Sequence, residues 1–280
     1  MIKTVTSDQV SLYTESFGNP DDPPILLIMG AVSSMIWWET PFCERLAEEG
    51  FFVIRYDNRD TGKSTSYPPG KPEYTFEELA DDTILVLDGY NIKKAVIMGM
   101  SMGGMLTQMT ALRHPDRVCG IVLLSSMYFA EGAENLPYSS DEVNEFFATF
   151  GQKIPVNNEK LIEYTISQWQ VTNKSSRPKD LEHIKDMIKT DIERAANYAS
   201  RINHSCAQVT GNELGRISEI QIPALVIHGT EDVVIPYIHG VMLAKTIPDS
   251  VLYTMEGAGH ELHPQDYLPV ARQIKNRFLQ

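Results

Sequence analysis

Three side chains, far apart along the chain, have the types needed for nucleophilic acyl transfer: Ser101, Asp232 and His260. Ser101 stands within Gly99-Met100-Ser101-Met102-Gly103-Gly104, after the apolar run Ala95-Val96-Ile97-Met98 and before the helix-like run Met105 to Leu112. A sharp strand–turn–helix pushes a serine hydroxyl at its tip clear of its neighbours, and the small flanking residues let the chain pass without a Cβ clash. Such a hydroxyl attacks a carbonyl only when a base takes its proton, and the base needs an orienting carboxylate. Both are found after later strand patterns. Leu225-Val226-Ile227-His228 runs into Gly229-Thr230-Glu231-Asp232, and Val251 to Met255 runs into Glu256-Gly257-Ala258-Gly259-His260.

Each assignment has rivals. Asp232 could cap the following helix, and Glu231 is the neighbouring candidate acid. His263, before Pro264, and His228, at a strand end, compete with His260 as base. His114, His183, His204 and His239 fall in helical or connecting segments, where a surface position is expected. The tetrahedral intermediate also needs two fixed N–H donors. One is assigned to Met102, after the nucleophile, and the other to Ala31, after the run Ile25 to Met29, where Gly30 permits close approach.

These residues need a scaffold. Continuous apolar runs such as Ile25-Leu26-Leu27-Ile28-Met29 and Phe51 to Tyr56 suit strands buried on both faces of a parallel sheet. Between them, Trp37 to Glu49 has helical spacing. Thr75 is a helix N-cap for a helix reaching about Tyr90. Strands are also read at Ile2 to Thr6, Val10 to Phe17, Val118 to Ser126, Pro223 to His228 and Ser250 to Met255, with helices at Tyr237 to Ile247 and Pro264 to Leu279. Alternation stops between Met127 and Arg216, where the pattern is helical: Asp141 to Phe150, Glu159 to Gln170 and Lys179 to Ser200. The expected organisation is a core of residues 1–126 and 217–280 with a helical cap, 127–216, over the edge where open α/β sheets bind ligands.

The 280 residues, 42% hydrophobic and 22% charged, suit a globular domain of this size. A formal charge of −13 disfavours nucleic acid and anionic membrane surfaces as partners. No apolar run approaches the roughly 20 residues of a membrane helix. The N-terminal residues lack the long apolar stretch of a secretory signal, so a cytoplasmic protein is expected. Three dispersed cysteines, Cys43, Cys119 and Cys206, argue against a disulfide framework, and Cys119 reads as a buried small hydrophobe. No metal cluster, phosphate loop or dinucleotide fingerprint is visible, so neither cofactor nor metal is expected. The sequence favours neither monomer nor homo-oligomer.

The chain resembles the α/β-hydrolase superfamily over essentially its full length. Within it, the chain is most similar to the aclacinomycin methylesterase-like hydrolases. The resemblance rests on Leu26-Leu27-Ile28-Met29-Gly30, on Val53-Ile54-Arg55-Tyr56-Asp57-Asn58-Arg59-Asp60-Thr61-Gly62-Lys63-Ser64, and on the Ser101 motif. It implies a mostly parallel eight-stranded sheet with helices on both faces and an inserted cap. It also implies Ser101, Asp232 and His260 as triad, with Ala31 and Met102 as oxyanion hole. The superfamily commonly has His-Gly where Met29-Gly30 stands and Gly where Asp60 stands; both departures are typical of the subgroup. Met29, Gly30, Trp37, Met127 and Tyr128 are expected to line an apolar pocket, with Met35, Trp38, Met100, Met102, Phe146 and Phe147 near it. The expected function is cofactor-free cleavage of carboxylic esters, methyl esters among them, of small apolar substrates. A lactonase, C–C hydrolase or perhydrolase would use the same triad, and a non-catalytic ligand-binding relative would lack part of it.

Overall fold

The computed structural model describes residues 1–8, 10–149, 155 and 157–279. Alternating side chains of the central strands point to opposite faces, so each strand feeds two cores. Leu26 and Ile28 join one buried cluster, whereas Ile25 and Leu27 join the other. The strands are β1 (Ile2–Thr6), β2 (Ser11–Phe17), β3 (Pro24–Ile28), β4 (Phe52–Tyr56), β5 (Ala95–Met100), β6 (Val118–Leu124), β7 (Ala224–Gly229) and β8 (Ser250–Met255). They form one eight-stranded sheet in the order β1-β2-β4-β3-β5-β6-β7-β8. β2 runs antiparallel to β1 and β4, and the other pairings are parallel.

Helices cover both faces, as a doubly buried parallel sheet requires. α1 (Thr40–Glu48) and α8 (Tyr267–Phe278) pack Phe42, Leu46, Val270 and Ile274 against one face. α2 (Phe76–Gly89), α3 (Met102–Arg113) and α7 (Ile238–Thr246) cover the other with Leu79, Leu106, Met109 and Leu243. Thr75 caps α2 as expected. Its hydroxyl accepts from the Glu78 N–H at 3.3 Å, while the Glu78 carboxylate accepts from the Thr75 N–H at 2.8 Å, a reciprocal capping box.

Between β6 and β7 the chain builds α4 (Asp141–Thr149), α5 (Asn158–Thr172) and α6 (Leu181–Arg194), then a 3-10 stretch over Tyr198–Ser205. Phe150, the expected end of α4, lies outside the described residues. Three sequence expectations need correction. The helix expected over Trp37 to Glu49 is a 3-10 turn (Met35–Trp37) followed by α1. The helix expected from Lys179 to Ser200 stops at Arg194, because Ala195 turns extended and the Ala196 N–H donates to the Gly62 carbonyl at 2.7 Å. Cys119 is exposed because it is the residue skipped where the β5–β6 register shifts, Ala95 pairing with Val118 and Val96 with Gly120.

The turn after β5 packs its glycines hard against backbone. A Cβ on Gly103 would lie 2.1 Å from the Ile28 carbonyl oxygen, and one on Gly99 would lie 2.0 Å from the Gly103 carbonyl oxygen. Both obstacles are backbone atoms of buried elements, so no side chain can swing aside. Gly103→Ala is therefore expected to cost at least about 3 kcal/mol of stability. Thermal melting and soluble yield check this, and an unchanged melting temperature would refute it.

Candidate active site

β3 and β5 are neighbours, so the loops leaving their C-terminal ends meet. A Cβ built on Gly30 would stand 3.2 Å from the Ser101 Cβ. Ser101 itself has φ +54° and ψ −119°, a strained conformation for a non-glycine residue. Its N–H donates to the Leu124 carbonyl at 2.9 Å, tying the strained tip to β6. Met102 then opens α3, placing its N–H among the unpaired amides at the positive end of the helix. Among the described residues, neither the Met102 N–H nor the Ala31 N–H meets a hydrogen-bond acceptor.

Asp232 sits in the loop after β7 with its side chain fully buried. Its Oδ1 accepts from the Val234 N–H at 2.9 Å and the Ile235 N–H at 2.8 Å. Its Oδ2 lies 2.8 Å from the Nδ1 of His260. An ionised carboxylate can only accept, so the His260 proton on that side sits on Nδ1, and in the neutral ring Nε2 is the bare nitrogen able to accept a proton. Burial pushes the Asp232 carboxyl up, but the electrostatic attraction and hydrogen bonds of the His260 and His228 rings outweigh it. The carboxyl is held well below the usual carboxylate range.

Of the rival residues, Glu231 and His263 lie elsewhere, whereas His228 stands beside Asp232. Glu231 turns to the insertion, accepting from the Ser176 N–H at 2.5 Å and the Ser176 hydroxyl at 3.0 Å. His263 caps the 3-10 turn at Pro264, accepting from the Gln265 N–H at 3.3 Å, and its Nε2 donates to the Pro178 carbonyl at 2.8 Å. His228 is fully buried beneath Asp232, 3.4 Å from Oδ2, and donates from Nε2 to the Ile235 carbonyl at 2.8 Å.

Ser101 and His260 line one cavity of about 840 Å³. From the sheet side Met29, Gly30, Ala31, Trp37 and Met100 line it, and from the insertion Phe147, Trp169, Leu181, Ile184 and Tyr198. Polar groups at its walls include Thr165, Gln168 and Arg201. Met127 and Tyr128, expected in the pocket, do not line it. Tyr128 is buried in the α2–α3–α7 core, where its N–H donates to His239 Nδ1 at 3.3 Å and its hydroxyl to the Glu131 carbonyl at 2.8 Å. The Met127 carbonyl turns to Gln108 of α3. Met35 and Trp38 are likewise core residues, away from the cavity.

A polar lattice joining the insertion to the loops under the cavity escaped the sequence reading. Arg194 forms a two-pronged ion pair with Asp57, 2.8 Å on each arm, and Asp57 also accepts from the Met35 and Lys63 N–H groups, each at 2.9 Å. Asp191 accepts from the Ser34 hydroxyl and, at 3.0 Å, from Trp37 Nε1. Burial pushes the Asp191 carboxyl up against the opposing pull of those two bonds. Asp60, where the superfamily commonly has glycine, has φ +65°, and its carboxylate accepts from the Tyr74 hydroxyl at 2.7 Å and Asn203 Nδ2 at 2.9 Å. The one available signal was the cluster Asp57-Asn58-Arg59-Asp60 at the end of a buried strand, since buried charges need partners from elsewhere.

Among the described residues, no group of three or more His, Cys, Asp or Glu side chains is placed to hold a metal ion. No described helix is long and apolar enough to cross a membrane.

The family described as the alpha/beta hydrolase fold matches residues 23–267. A rhodomycin D methylesterase of Streptomyces peucetius is 30% identical over 287 aligned positions, covering 97% of this chain and 96% of the relative. Among solved structures, an esterase from Rhodococcus sp. ECU1013 superposes with a TM-score of 0.79 at 20% identity, covering 99% of each chain. The 2-hydroxy-6-oxo-6-phenylhexa-2,4-dienoate hydrolase of Rhodococcus sp. strain RHA1 also gives 0.79 at 20% identity, covering 100% of this chain and 99% of that one. At such identity those two speak for the fold alone. The family match spans most of the chain, and with the sheet order and the serine turn it leads to one assignment: this chain belongs to the α/β-hydrolase family, in its aclacinomycin methylesterase-like group.

Proposed function

We propose that this carboxylic ester hydrolase works by covalent catalysis at Ser101, with His260 as base and Asp232 as its orienting acid. The observation that carries the reading is the 2.8 Å contact between His260 Nδ1 and the buried Asp232 carboxylate, at the wall of the same cavity as Ser101. The Ser101 Oγ attacks the ester carbonyl and its proton passes to His260 Nε2. Asp232 holds the ring in the tautomer that can accept that proton and stabilises the imidazolium formed. The oxyanion lies against the N–H groups of Ala31 and Met102. His260 returns the proton to the leaving alcohol. Water, deprotonated by His260, then attacks the acyl-enzyme; the acid leaves and the proton returns to Ser101 Oγ.

The methylesterase named among the relatives supports methyl esters as substrates. The apolar walls of Met29, Trp37 and Trp169 support an apolar acyl part. Residues 127–216 are read as the lid of this site.

A fluorophosphonate probe tests the reading, because it phosphonylates only a serine with a working base and oxyanion hole. Mass spectrometry is expected to find the adduct on Ser101. A folded chain that leaves the probe unreacted would overturn the assignment and favour a ligand-binding role. A turnover screen across methyl esters, lactones and C–C substrates then ranks the chemistries that share this triad.

A further inference from the structure

The 3-10 helix Tyr198–Ser205 carries His204 from the insertion to the loop after β3. His204 is only 3% exposed. Its Nδ1 accepts the Val32 N–H at 3.0 Å, and its Nε2 lies 2.7 Å from the Arg59 carbonyl. An amide N–H can only donate and a carbonyl only accept, so the ring is neutral and its proton is on Nε2. Burial, opposed by the Arg59 carbonyl and the nearby Asp60 carboxylate, pushes its pKa below the ordinary histidine value and favours this neutral form.

What His204 grips is the loop that bears a proposed oxyanion donor. Val32 directly follows Ala31 and has φ +61°, which a β-branched residue adopts only when its surroundings hold it. Released, the backbone would relax by rotation at Val32 and Ala31, turning the Ala31 N–H away from the Ser101 side of the cavity. Asp191 grips the same loop two residues on, through the Ser34 hydroxyl. Neither side chain touches the reacting atoms.

We propose that His204 is a positioning residue for ester hydrolysis: by accepting the Val32 N–H it aims the Ala31 N–H at the developing oxyanion, so the insertion completes the chemistry as well as covering it. This rests on the Ser101 reading above.

Two substitutions separate the two bonds of the ring. His204→Asn keeps an acceptor near the Nδ1 position and gives up the Arg59 bond. His204→Gln keeps a donor near the Nε2 position and gives up the Val32 bond. The Gln variant is expected to lose about tenfold to a hundredfold in kcat with KM changed less than about twofold, somewhat below the loss for deleting an oxyanion donor outright. The Asn variant is expected to stay within about threefold of the parent in kcat. A purely structural histidine would give both variants the same kcat, whatever their melting temperatures, and that result overturns the proposal. So does a KM that rises in step with the loss of kcat. If the Gln variant does not fold, the Asn variant decides alone: a folded Asn variant that loses more than about tenfold in kcat overturns the proposal. Phosphonylation of the parent is read alongside. An unlabelled parent brings down the Ser101 reading itself, whereas a labelled parent with equal variants brings down only the role of His204.

Discussion

Ser101→Ala is expected to lower turnover of a chromogenic short-chain ester by about 10⁵- to 10⁶-fold, the scale set by loss of a serine nucleophile. The substitution removes one atom and little else. The left-handed backbone at residue 101 strains alanine as much as serine, so no strain is released. The bond that ties the turn to β6 is made by the backbone N–H and survives. Thermal melting should therefore move by no more than about 2 °C, as for a substitution that opens no core cavity. Turnover near the parental level in a correctly folded variant would remove Ser101 from the reaction.

Asp232→Asn is expected to cost about 10⁴-fold in kcat for a reason specific to its surroundings. The N–H groups of Val234 and Ile235 both donate to Oδ1, so the oxygen of an asparagine amide must stay there. Its NH₂ then takes the place of Oδ2, facing His260 Nδ1. A donor at that point favours the tautomer with Nδ1 bare and the proton on Nε2, which cannot take a proton from Ser101. The same NH₂ also faces the Nε2–H of His228, now donor against donor, so some stability should be lost as well. Steady-state kinetics beside a melting curve checks both halves. A variant retaining more than about a tenth of parental kcat would mean that the carboxylate does not set the His260 tautomer.

Legibility in the sequence followed how local each determinant was. The central strands β3 and β4 were readable because burial on both faces leaves unbroken apolar runs, whereas the less buried edge strands β1 and β8 carry interrupted patterns and still fall on the residues expected. The Thr75 cap was readable because its partner is three residues away. Strand-end position made Asp232 and His260 candidates beside Glu231 and His263, and only the folded chain brings the first two to 2.8 Å and turns the others elsewhere. Met127 and Tyr128 were misjudged because apolar residues just past a strand tip can turn either way. A backbone bond to His239 accompanies Tyr128 into the core, and the Met127 carbonyl is held by Gln108. His204 and His239, expected at the surface, are both buried. Each is buried by backbone partners more than 100 residues away, which no local pattern encodes.

The insertion departs after β6 and rejoins at β7, and these strands lie side by side. Two crossovers at those points would therefore exchange the whole hood between homologous genes while leaving every pairing of the eight-stranded sheet intact and re-forming only the Thr75–Gln208 bridge. The hood carries the Arg194, Asp191 and His204 that splint the loops below. If His204 acts as proposed, pocket walls and rate would travel together in such an exchange. A graft without counterparts of those three residues would bring a new appetite to a slower enzyme.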